Sequence, residues 1–250
     1  MQNFETVLDV EHYTDDLFWF RTTKGDAWNK KNFIAGMFTM IGMGDDDIQR
    51  AYSIACSPQQ PTLEFLSIKV PDGPLTSRLK DIKPGDEIEV SQRAVGTLLL
   101  KNLKPKKRLW MISTGTGLAP FMSIARDLET YNNYDEVIVT HTCRTNEELV
   151  FRDEIKSYGA KVYQTVTRAQ PHGDRKQGRI TDRISDSSLF VDLEIDQTKF
   201  DQDTDAIMIC GGPDFNNELR SMLESQGWLH GTTKTPGDFV QERAFVMQNR

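Results

Sequence analysis

Three side chains with different chemistries stand within four residues of a strand-like segment, AYSIACS with the arginine that precedes it. Arg50, Tyr52 and Ser53 offer a guanidinium, an aromatic ring and a hydroxyl. Successive side chains of a strand point to opposite faces, so Arg50 and Tyr52 share one face and Ser53 lies on the other. Three different hydrogen-bonding or stacking groups in four residues are an unusual way to build a core. The segment is therefore a candidate binding site rather than ordinary core.

A glycine turn in the second half of the chain, STGTGLAPF, is a second candidate. Its two glycines follow a predicted strand and precede a predicted helix with Pro120 in its first turn, where proline is favoured. Free backbone N–H groups at such a helix start, beside glycines that let a ligand approach, suit a pyrophosphate. Glycines also occur at such turns for steric reasons alone. No Lys-Ser or Lys-Thr pair follows them, so the segment is not a P-loop.

Basic residues follow successive strands of this half. In dinucleotide folds the end of the second strand meets the adenosine ribose, where an acid selects NAD and an arginine accommodates the 2′-phosphate of NADP. Here that strand ends HTCRTNEE and presents Arg144, with Arg152, Arg168 and Arg179 further along. Any one of these arginines could be a solvated surface residue. Several of them at successive strand ends favour a phosphorylated ligand.

A thiol and two glycines end the strand AIMICGGPDF. Cys210, Gly211 and Gly212 would lie at the carboxyl edge of the sheet, where open α/β sheets bind ligands. Cys210 could equally be a small buried apolar residue. The residues alone leave both interpretations open.

The elements that must position these groups follow two patterns. Up to about residue 100, short β segments are broken by turn residues roughly every ten positions, which predicts an antiparallel barrel or sandwich. From KRLWMISTGTG onward, strands alternate with amphipathic helices at 120–131, 146–159 and 213–227, which predicts a parallel sheet covered by helices. The proline-containing stretch KNLKPKKR suits a linker, so we predict domains at residues 1–102 and 103–250. The acidic, weakly patterned segment 187–205 is predicted to be an exposed excursion.

Bulk properties exclude several classes of protein. The net charge of −7 over 250 residues argues against non-specific binding to nucleic acids or membrane surfaces. No stretch approaches the roughly 18 consecutive apolar residues of a membrane span. The three cysteines and four histidines are scattered, without the spacings of zinc or iron–sulfur sites. A cytoplasmic protein without a metal centre is expected.

Seven motifs, in order along the chain, together resemble the bacterial type of ferredoxin–NADP(+) reductase. They are RAYS, GPLTSRL, STGTGLAPF, TCR followed by EEL, TVTR followed by GRITD, ICGGP and the terminal GDFVQERAFV. The similarity runs from residue 1 to the C-terminus. It implies two domains: a six-stranded antiparallel β-barrel that holds FAD, and a Rossmann-like α/β domain with a parallel sheet that binds NADP and ends in a flavin-contacting tail.

The resemblance also implies roles for individual residues. The catalytic set would be Ser53, Cys210 and Glu242, although Glu242 could instead be a plain surface carboxylate. FAD would be held by Arg50, Ala51, Tyr52, Ser53, Leu66, Ser67, Lys69, Leu75, Thr76, Thr116, Ala244 and Phe245. NADP would be held by Arg144, Thr167, Arg168, Arg179, Gly211 and Gly212. Arg152 matches no family position, and residues Val246 to Arg250 would form a tail that the nicotinamide must displace.

The implied function is an enzyme that exchanges a hydride between NADP(H) and FAD and single electrons with ferredoxin or flavodoxin. Such carriers are acidic, so this acidic chain would need a local basic face, drawn from Lys104, Lys106, Lys107 and Arg108 or from Lys30 and Lys31. Two alternatives remain: an NADPH-dependent flavin reductase or oxygenase reductase component on the same scaffold, and a non-catalytic NADP or redox sensor. A monomer is expected.

Overall fold

The chain forms two compact units in a computed structural model that describes residues 3–26, 28, 32–44, 46–70 and 73–244. The first unit comprises Met1–Gly96 with Ala119–Asp127, and the second comprises Thr97–Leu118 with Leu128–Arg250. The predicted boundary between residues 102 and 103 falls inside the second unit, six residues after its start at Thr97.

The first unit is built on six antiparallel strands in the order β4-β3-β6-β1-β2-β5. Their bounds are β1 Phe4–His12, β2 Leu17–Thr23, β3 Phe38–Gly42, β4 Gln49–Ser53, β5 Thr62–Ile68 and β6 Glu87–Val90, with a short helix α1 at Thr76–Leu79. The two ends of this order meet, because Ile54 bridges Phe65 and the Ala55 N–H donates to the Glu64 carbonyl at 2.8 Å. The sheet therefore closes into a barrel.

Alternation along the strands fills the barrel. In β2, Phe18 and Phe20 are fully buried, whereas Trp19 between them is only partly buried. The Phe20 ring stacks on that of Phe65 in the neighbouring β5, with 5.2 Å between centroids. Such period-two patterning is what predicted the strands, and the six-stranded antiparallel barrel is confirmed.

The second unit contains a six-stranded parallel sheet in the order β10-β9-β8-β7-β11-β12. Its strands are β7 Arg108–Thr114, β8 Glu136–Cys143, β9 Lys161–Val166, β10 Lys176–Gln177, β11 Asp205–Gly211 and β12 Phe239–Arg243. The order runs one way from β7 to β10 and the other way from β11 to β12, so it reverses between β7 and β11. A crevice at the carboxyl ends of such a pair is the usual ligand site of a doubly wound sheet.

The helices that follow β7 in the chain are shorter than predicted, and the first of them belongs almost wholly to the first unit. They are α2 Leu118–Ala125, α3 Leu128–Asn133, α4 Arg152–Ser157, α5 Ile180–Ser185, α6 Ser188–Asp192 and α7 Pro213–Ser225. The helix predicted over 120–131 is two helices, interrupted at Arg126 and Asp127. Arg126 is buried and donates to the Glu64 carboxylate at 2.6 Å and to the Ala55 carbonyl at 2.9 Å. The predicted helix at 146–159 was too long, since only Arg152–Ser157 is α-helical.

The prediction of an exposed excursion over 187–205 was wrong. Leu189 and Phe190 are fully buried and Phe200 is nearly so. The Phe190 and Phe200 rings pack edge-on against Trp110, at 5.6 and 5.1 Å between centroids. The acidic residues of the segment are exposed except for the buried Asp205, and the two phenylalanine rings pack the segment against the core.

In the part of the chain that the structure describes, every helix is too short or too polar to cross a membrane.

Candidate active site

The glycine turn lies where the strand order reverses. After β7, residues Gly115–Gly117 form a single 3₁₀ turn that leads directly into α2. A Cβ on Gly117 would lie 2.2 Å from the Cys210 carbonyl oxygen, so only glycine lets the turn pack against the end of β11. The Leu118 N–H donates to the Gly115 carbonyl and closes this turn. The first N–H groups of a helix have no partner inside the helix, so a glycine turn that leads into a helix start is a geometry that suits a phosphate.

A buried histidine holds this turn. His141 Nε2 lies 3.0 Å from the Gly115 carbonyl oxygen and 3.1 Å from Cys143 Sγ. Because a carbonyl only accepts, Nε2 must carry the hydrogen. Burial lowers the pKa of His141 to about 4, so the ring is neutral at physiological pH. Gly115 itself has φ +54°, in the left-handed region that favours glycine.

Beside the turn, the end of β11 places a thiol and two glycines. Cys210 is fully buried, and burial, followed by the nearby Glu242 carboxylate, raises the pKa of its thiol well above the ordinary value. The thiol is therefore neutral. A Cβ on Gly211 would lie 2.4 Å from Thr114 Oγ1, whereas one on Gly212 would have no atom of the described residues within 4 Å. Gly212 thus leaves open space at the edge of the sheet.

Glu242 lies opposite Cys210 in the register of β12 with β11. Its carboxylate accepts hydrogen bonds from the Thr97 N–H at 2.9 Å and from the Thr97 hydroxyl at 3.2 Å. The Asn216 side chain donates to the Glu242 carbonyl at 2.7 Å. Burial raises the pKa of Glu242, against the opposing effect of the Thr97 hydrogen bonds. Glu242 is therefore a held, largely buried carboxyl and not a plain surface residue.

The predicted phosphate-binding residues stand at the ends of β8 and β9. The Arg168 N–H donates to the Arg144 carbonyl at 2.9 Å, and the Thr167 N–H donates to the Cys143 carbonyl at 3.0 Å. Arg144 and Arg168 therefore leave the sheet side by side. Both side chains are exposed. The Arg168 guanidinium has no partner among the described residues, whereas that of Arg144 lies 3.4 Å from Glu148.

Two other arginines are already paired. Arg179, just before α5, forms an exposed ion pair with Glu218. Arg152 forms an ion pair with Asp174. A phosphate at Arg179 would have to compete with an exposed carboxylate, which is a weak competitor because exposed pairs are worth little. The structure gives Arg152 a partner within its own unit.

In the first unit, RAYS occupies β4 and the start of the segment that closes the barrel. Tyr52 is buried in the barrel core, Ala51 is exposed, and Arg50 and Ser53 are partly buried. The Ser67 hydroxyl donates to the Tyr52 hydroxyl at 3.4 Å, and burial raises the pKa of Tyr52. The Arg50 guanidinium donates to the neighbouring Gln49 carbonyl at 2.8 Å and forms no ion pair among the described residues.

The remaining residues predicted for this unit lie on β5 and in the turn before α1. Leu66 and Ser67 are buried on β5, and Lys69 follows that strand. Leu75 is buried, and the Thr76 hydroxyl closes the turn by accepting from the Val70 N–H at 3.1 Å. The N–H groups of Leu75 and Thr76 have no acceptor among the described residues. Free donors therefore lie near this turn as well.

The remaining predicted residues belong to the C-terminal segment and to the two predicted basic faces. The Ala244 N–H donates to the Gly211 carbonyl at 3.0 Å, which holds the chain beside β11 just after β12. Phe245, the tail Val246 to Arg250, and Lys30 and Lys31 lie outside the described residues. In the basic stretch, Lys104 pairs with Asp238 at 2.9 Å, and Arg108 pairs with Asp205 at 3.0 Å and with Glu136. The stretch leads into the amino-terminal end of β7, whereas the glycine turn follows the carboxyl end of that strand. These two charges are therefore used inside their own unit.

Sequence reasoning missed His141, Thr97 and Asn216. Each is a polar residue whose partner lies far away in the chain; Thr97 and Glu242 are 145 residues apart. No local pattern marks such a contact. Only the position of His141 could have suggested its role, because it lies near the end of β8, the strand next to the one that precedes the glycine turn.

Comparison with known proteins decides the family. Residues 111–221 match the oxidoreductase NAD-binding domain. A flavodoxin/ferredoxin–NADP reductase of Rhodobacter capsulatus is 43% identical, and the match covers 97% of this chain and 93% of that protein. A ferredoxin–NADP reductase of Pseudomonas aeruginosa is 42% identical, with 97% of both chains covered. The chain belongs to the ferredoxin–NADP reductase family. The predicted membership is confirmed, and with it the assignment as an oxidoreductase.

A solved structure supports the fold of this reductase family member. The crystal structure of a ferredoxin NADP+ reductase from Neisseria gonorrhoeae, with bound FAD and NADP, matches with a TM-score of 0.88 and 28% identity. The match covers 97% of this chain and 98% of that one. The predicted fold, an antiparallel barrel followed by a parallel-sheet α/β domain, is confirmed. Among the described residues, no group of three or more His, Cys, Asp or Glu side chains could hold a metal ion.

Proposed function

We propose that this reductase binds FAD on its barrel and NADP(H) on its parallel sheet, and that it exchanges single electrons with ferredoxin or flavodoxin. The observation that carries the proposal is the glycine turn at the point where the strand order reverses. The turn leads directly into α2, and glycine is required at position 117 because a Cβ there would lie 2.2 Å from the Cys210 carbonyl oxygen. The N–H groups of such a helix start suit a pyrophosphate.

The NADP assignment is supported by charge at the neighbouring strand ends. Arg144 and Arg168 are linked through their backbones and exposed at the ends of β8 and β9. In dinucleotide folds the end of the second strand meets the adenosine ribose, which supports the assignment. Thr167 directly follows β9 and donates to the Cys143 carbonyl, and Arg179 lies just before α5. An arginine pair is suited to a 2′-phosphate because each guanidinium presents several donors in a plane. The open edge at Gly212 leaves room for the nicotinamide half.

The FAD assignment is supported by the donor groups of the barrel. Arg50 offers a guanidinium that forms no ion pair among the described residues, and the turn at Leu75 and Thr76 offers backbone donors for phosphate. Tyr52 and Ser67 form one hydrogen-bonded pair on adjoining strands. We assign Tyr52 to the face of the flavin ring and Ser53 to its reactive edge. Leu66, Lys69, Thr116 and Ala244 complete the assigned contacts, together with Phe245.

When bound, the two cofactors supply hydride transfer between nicotinamide and flavin and the release of single electrons. The chain's own groups position that exchange. Cys210 contributes a neutral, compact thiol at the edge of β11, and it packs without adding charge. Glu242 has a raised pKa, so it can hold or release a proton nearer to neutral pH than an ordinary carboxyl. Ser53 supplies a hydroxyl that can donate to a ring nitrogen.

The carrier is assigned from the relatives, whose names include both ferredoxin and flavodoxin. Both are acidic carriers, and this chain has a net charge of −7, so docking needs a local basic face. Lys104 and Arg108 are already paired with acids of their own unit. We therefore place less of that face on the stretch 104–108 than the sequence suggested. Screening by salt should slow electron transfer to the carrier.

The test is an anaerobic titration of the purified protein with NADPH. A yellow protein that bleaches with NADPH, and that then reduces cytochrome c only when ferredoxin or flavodoxin is added, is the expected result. Rapid reduction of free flavin without any protein carrier would favour the flavin reductase alternative. Flavin that stays oxidised under NADPH would favour the sensor. Carrier-dependent rates that do not fall with added salt would contradict the basic docking face.

A further inference from the structure

A buried asparagine joins the two loops that carry the phosphate-binding arginines. Asn146 lies two residues after Arg144, in the loop that follows β8, and its side chain is almost fully buried. Its Nδ2 donates to the Gln170 carbonyl at 2.8 Å. Its Oδ1 accepts from the His172 N–H at 3.0 Å and from the Arg175 guanidinium at 3.1 Å. All three partners belong to the loop that follows β9.

The partners leave the amide one orientation. A carbonyl accepts only, and a backbone N–H and a guanidinium donate only, so exchanging oxygen and nitrogen would oppose like groups at every contact. Asn146 is thus specified by chemistry, since aspartate would lose the donor to Gln170 and leucine would lose all three bonds. Arg175 extends the link towards the buried Gln164 on β9, at 3.4 Å. The loop is therefore tied from one side to β9 and from the other to the end of β8.

In the sequence, Arg168 lies between the end of β9 at Val166 and the residues that Asn146 contacts, 170–175. Its side chain is exposed and has no hydrogen bond or ion pair among the described residues, so the position of Arg168 depends on the backbone that carries it. The Arg168 N–H bond to Arg144 fixes the start of the loop, and Asn146 fixes residues 170–175. Glu148 accepts from the Arg144 N–H at 2.7 Å, within the loop that follows β8.

We propose that Asn146 is a positioning residue for the choice of NADP(H) over NAD(H): by clamping the loop at 170–175 to the end of β8, it keeps Arg168 beside Arg144, where both bind the adenosine 2′-phosphate. The inference rests on the proposed function, in which these two arginines meet that phosphate. Asn146 itself touches no ligand. It acts through the backbone on which Arg168 stands.

Calorimetric binding of two fragments tests the inference without any turnover. The probes are adenosine 2′,5′-bisphosphate, which carries the discriminating phosphate, and 5′-AMP, which lacks it. In Asn146→Ala we expect the bisphosphate to bind about tenfold more weakly, since a charge-assisted contact is partly lost, and 5′-AMP to bind within about twofold of wild type. Flavin reduction should show the same split, with a raised KM for NADPH, an unchanged KM for NADH and an unchanged kcat.

Matched variants separate positioning from general damage. Asn102 is a similarly buried amide of the same unit, and its side chain donates to the Thr97 carbonyl at 2.9 Å and not to either loop. Asn102→Ala should lower the thermal stability but leave the bisphosphate-to-AMP ratio as in wild type. Arg175→Lys keeps the charge and loses the forked contact, so it should lower the ratio in the same direction. It carries the test if Asn146→Ala does not fold.

Arg168→Ala distinguishes the possible failures. If Arg168→Ala leaves the ratio unchanged, the 2′-phosphate site itself is misassigned and the inference falls with it. If Arg168→Ala lowers the ratio but Asn146→Ala does not, only the role of Asn146 is overturned. In the double variant, Asn146→Ala should add no further loss of ratio to Arg168→Ala. A full additional loss would show that Asn146 acts by another route.

Discussion

Replacing Gly117 by alanine should separate the nucleotide-binding role of the glycine turn from its role in folding. The added Cβ would lie 2.2 Å from the Cys210 carbonyl oxygen and 2.7 Å from the carbonyl carbon. Side-chain Cβ atoms essentially never come closer than 3.0 Å, so a displacement of at least 0.8 Å, from 2.2 to 3.0 Å, is needed. Both contacts are backbone, so no side chain can rotate away. The turn or the end of β11 must move.

Two quantities follow from that displacement. Overpacking of this kind costs about 1–3 kcal/mol, which for a chain of this size lowers the Tm by roughly 2–12 °C. A misplacement of about 1 Å in a group that positions substrate can cost about a hundredfold in rate. Flavin reduction by NADPH should therefore slow by about that factor, as measured by anaerobic stopped flow, while the protein stays yellow. NADP+ binding measured by calorimetry should weaken in parallel.

Gly212→Ala is the steric control, because a Cβ there meets no described atom within 4 Å and the backbone at Gly212 is extended. Its Tm should remain close to that of wild type. A Gly117→Ala protein with lowered Tm but unchanged reduction rate and NADP+ affinity would refute the placement of the nucleotide at this turn. An unchanged Tm would refute the steric reasoning.

Three further predictions concern single contacts. Thr97→Val removes a hydroxyl that contacts Glu242, so the pKa of Glu242, already raised by burial, rises further. The pH profile of flavin reduction should then shift to higher pH. The Tm should fall more at about pH 8 than at about pH 5, because a carboxyl with a raised pKa destabilises the fold once it ionises. The control Thr97→Ser keeps the hydroxyl and should behave as wild type. Glu64→Gln removes the buried partner of Arg126 and should cost about 3 kcal/mol in denaturant unfolding, and a loss below about 1 kcal/mol would contradict the value of that pair. Ser53→Ala should slow stopped-flow flavin reduction by about a hundredfold while FAD stays bound, and an unchanged rate would exclude the hydroxyl from the exchange.

Local patterns predicted the strands because successive side chains of a strand alternate between its two faces, so a short run of residues shows which face is buried. The alternation in LFWFRTT and the apolar run RLWMIST each correspond to one observed strand. The glycine turn could be predicted too, since its position between a strand and a helix is a local property. The change from short β segments to alternating strands and helices also predicted two domains, and the family motifs then implied which cofactor each domain binds.

Contacts between residues distant in sequence could not be predicted. The helix interruption at Arg126 depends on Glu64, which is 62 residues earlier in the chain, and so no local propensity signals it. Phe190 and Phe200 belong to an acidic segment whose composition suggests solvent, but their rings pack on Trp110. Thr97 and Asn146 carry no motif at all, because a single polar residue takes its role from its partners.

The burial of all three cysteines has a practical consequence. Cys56, Cys143 and Cys210 are free thiols without solvent access, and burial raises the pKa of Cys56 and Cys143 to about 12 and that of Cys210 well above the ordinary value. Thiolates are the reactive species, so a thiol reagent can label each site only after local opening. Labelling followed by peptide mapping would therefore time the opening of the barrel at Cys56, of the β8 edge at Cys143 and of the β11 edge at Cys210. The three labelling rates would therefore report local opening in three different parts of the chain. Bound nucleotide should lower the labelling rate of Cys210.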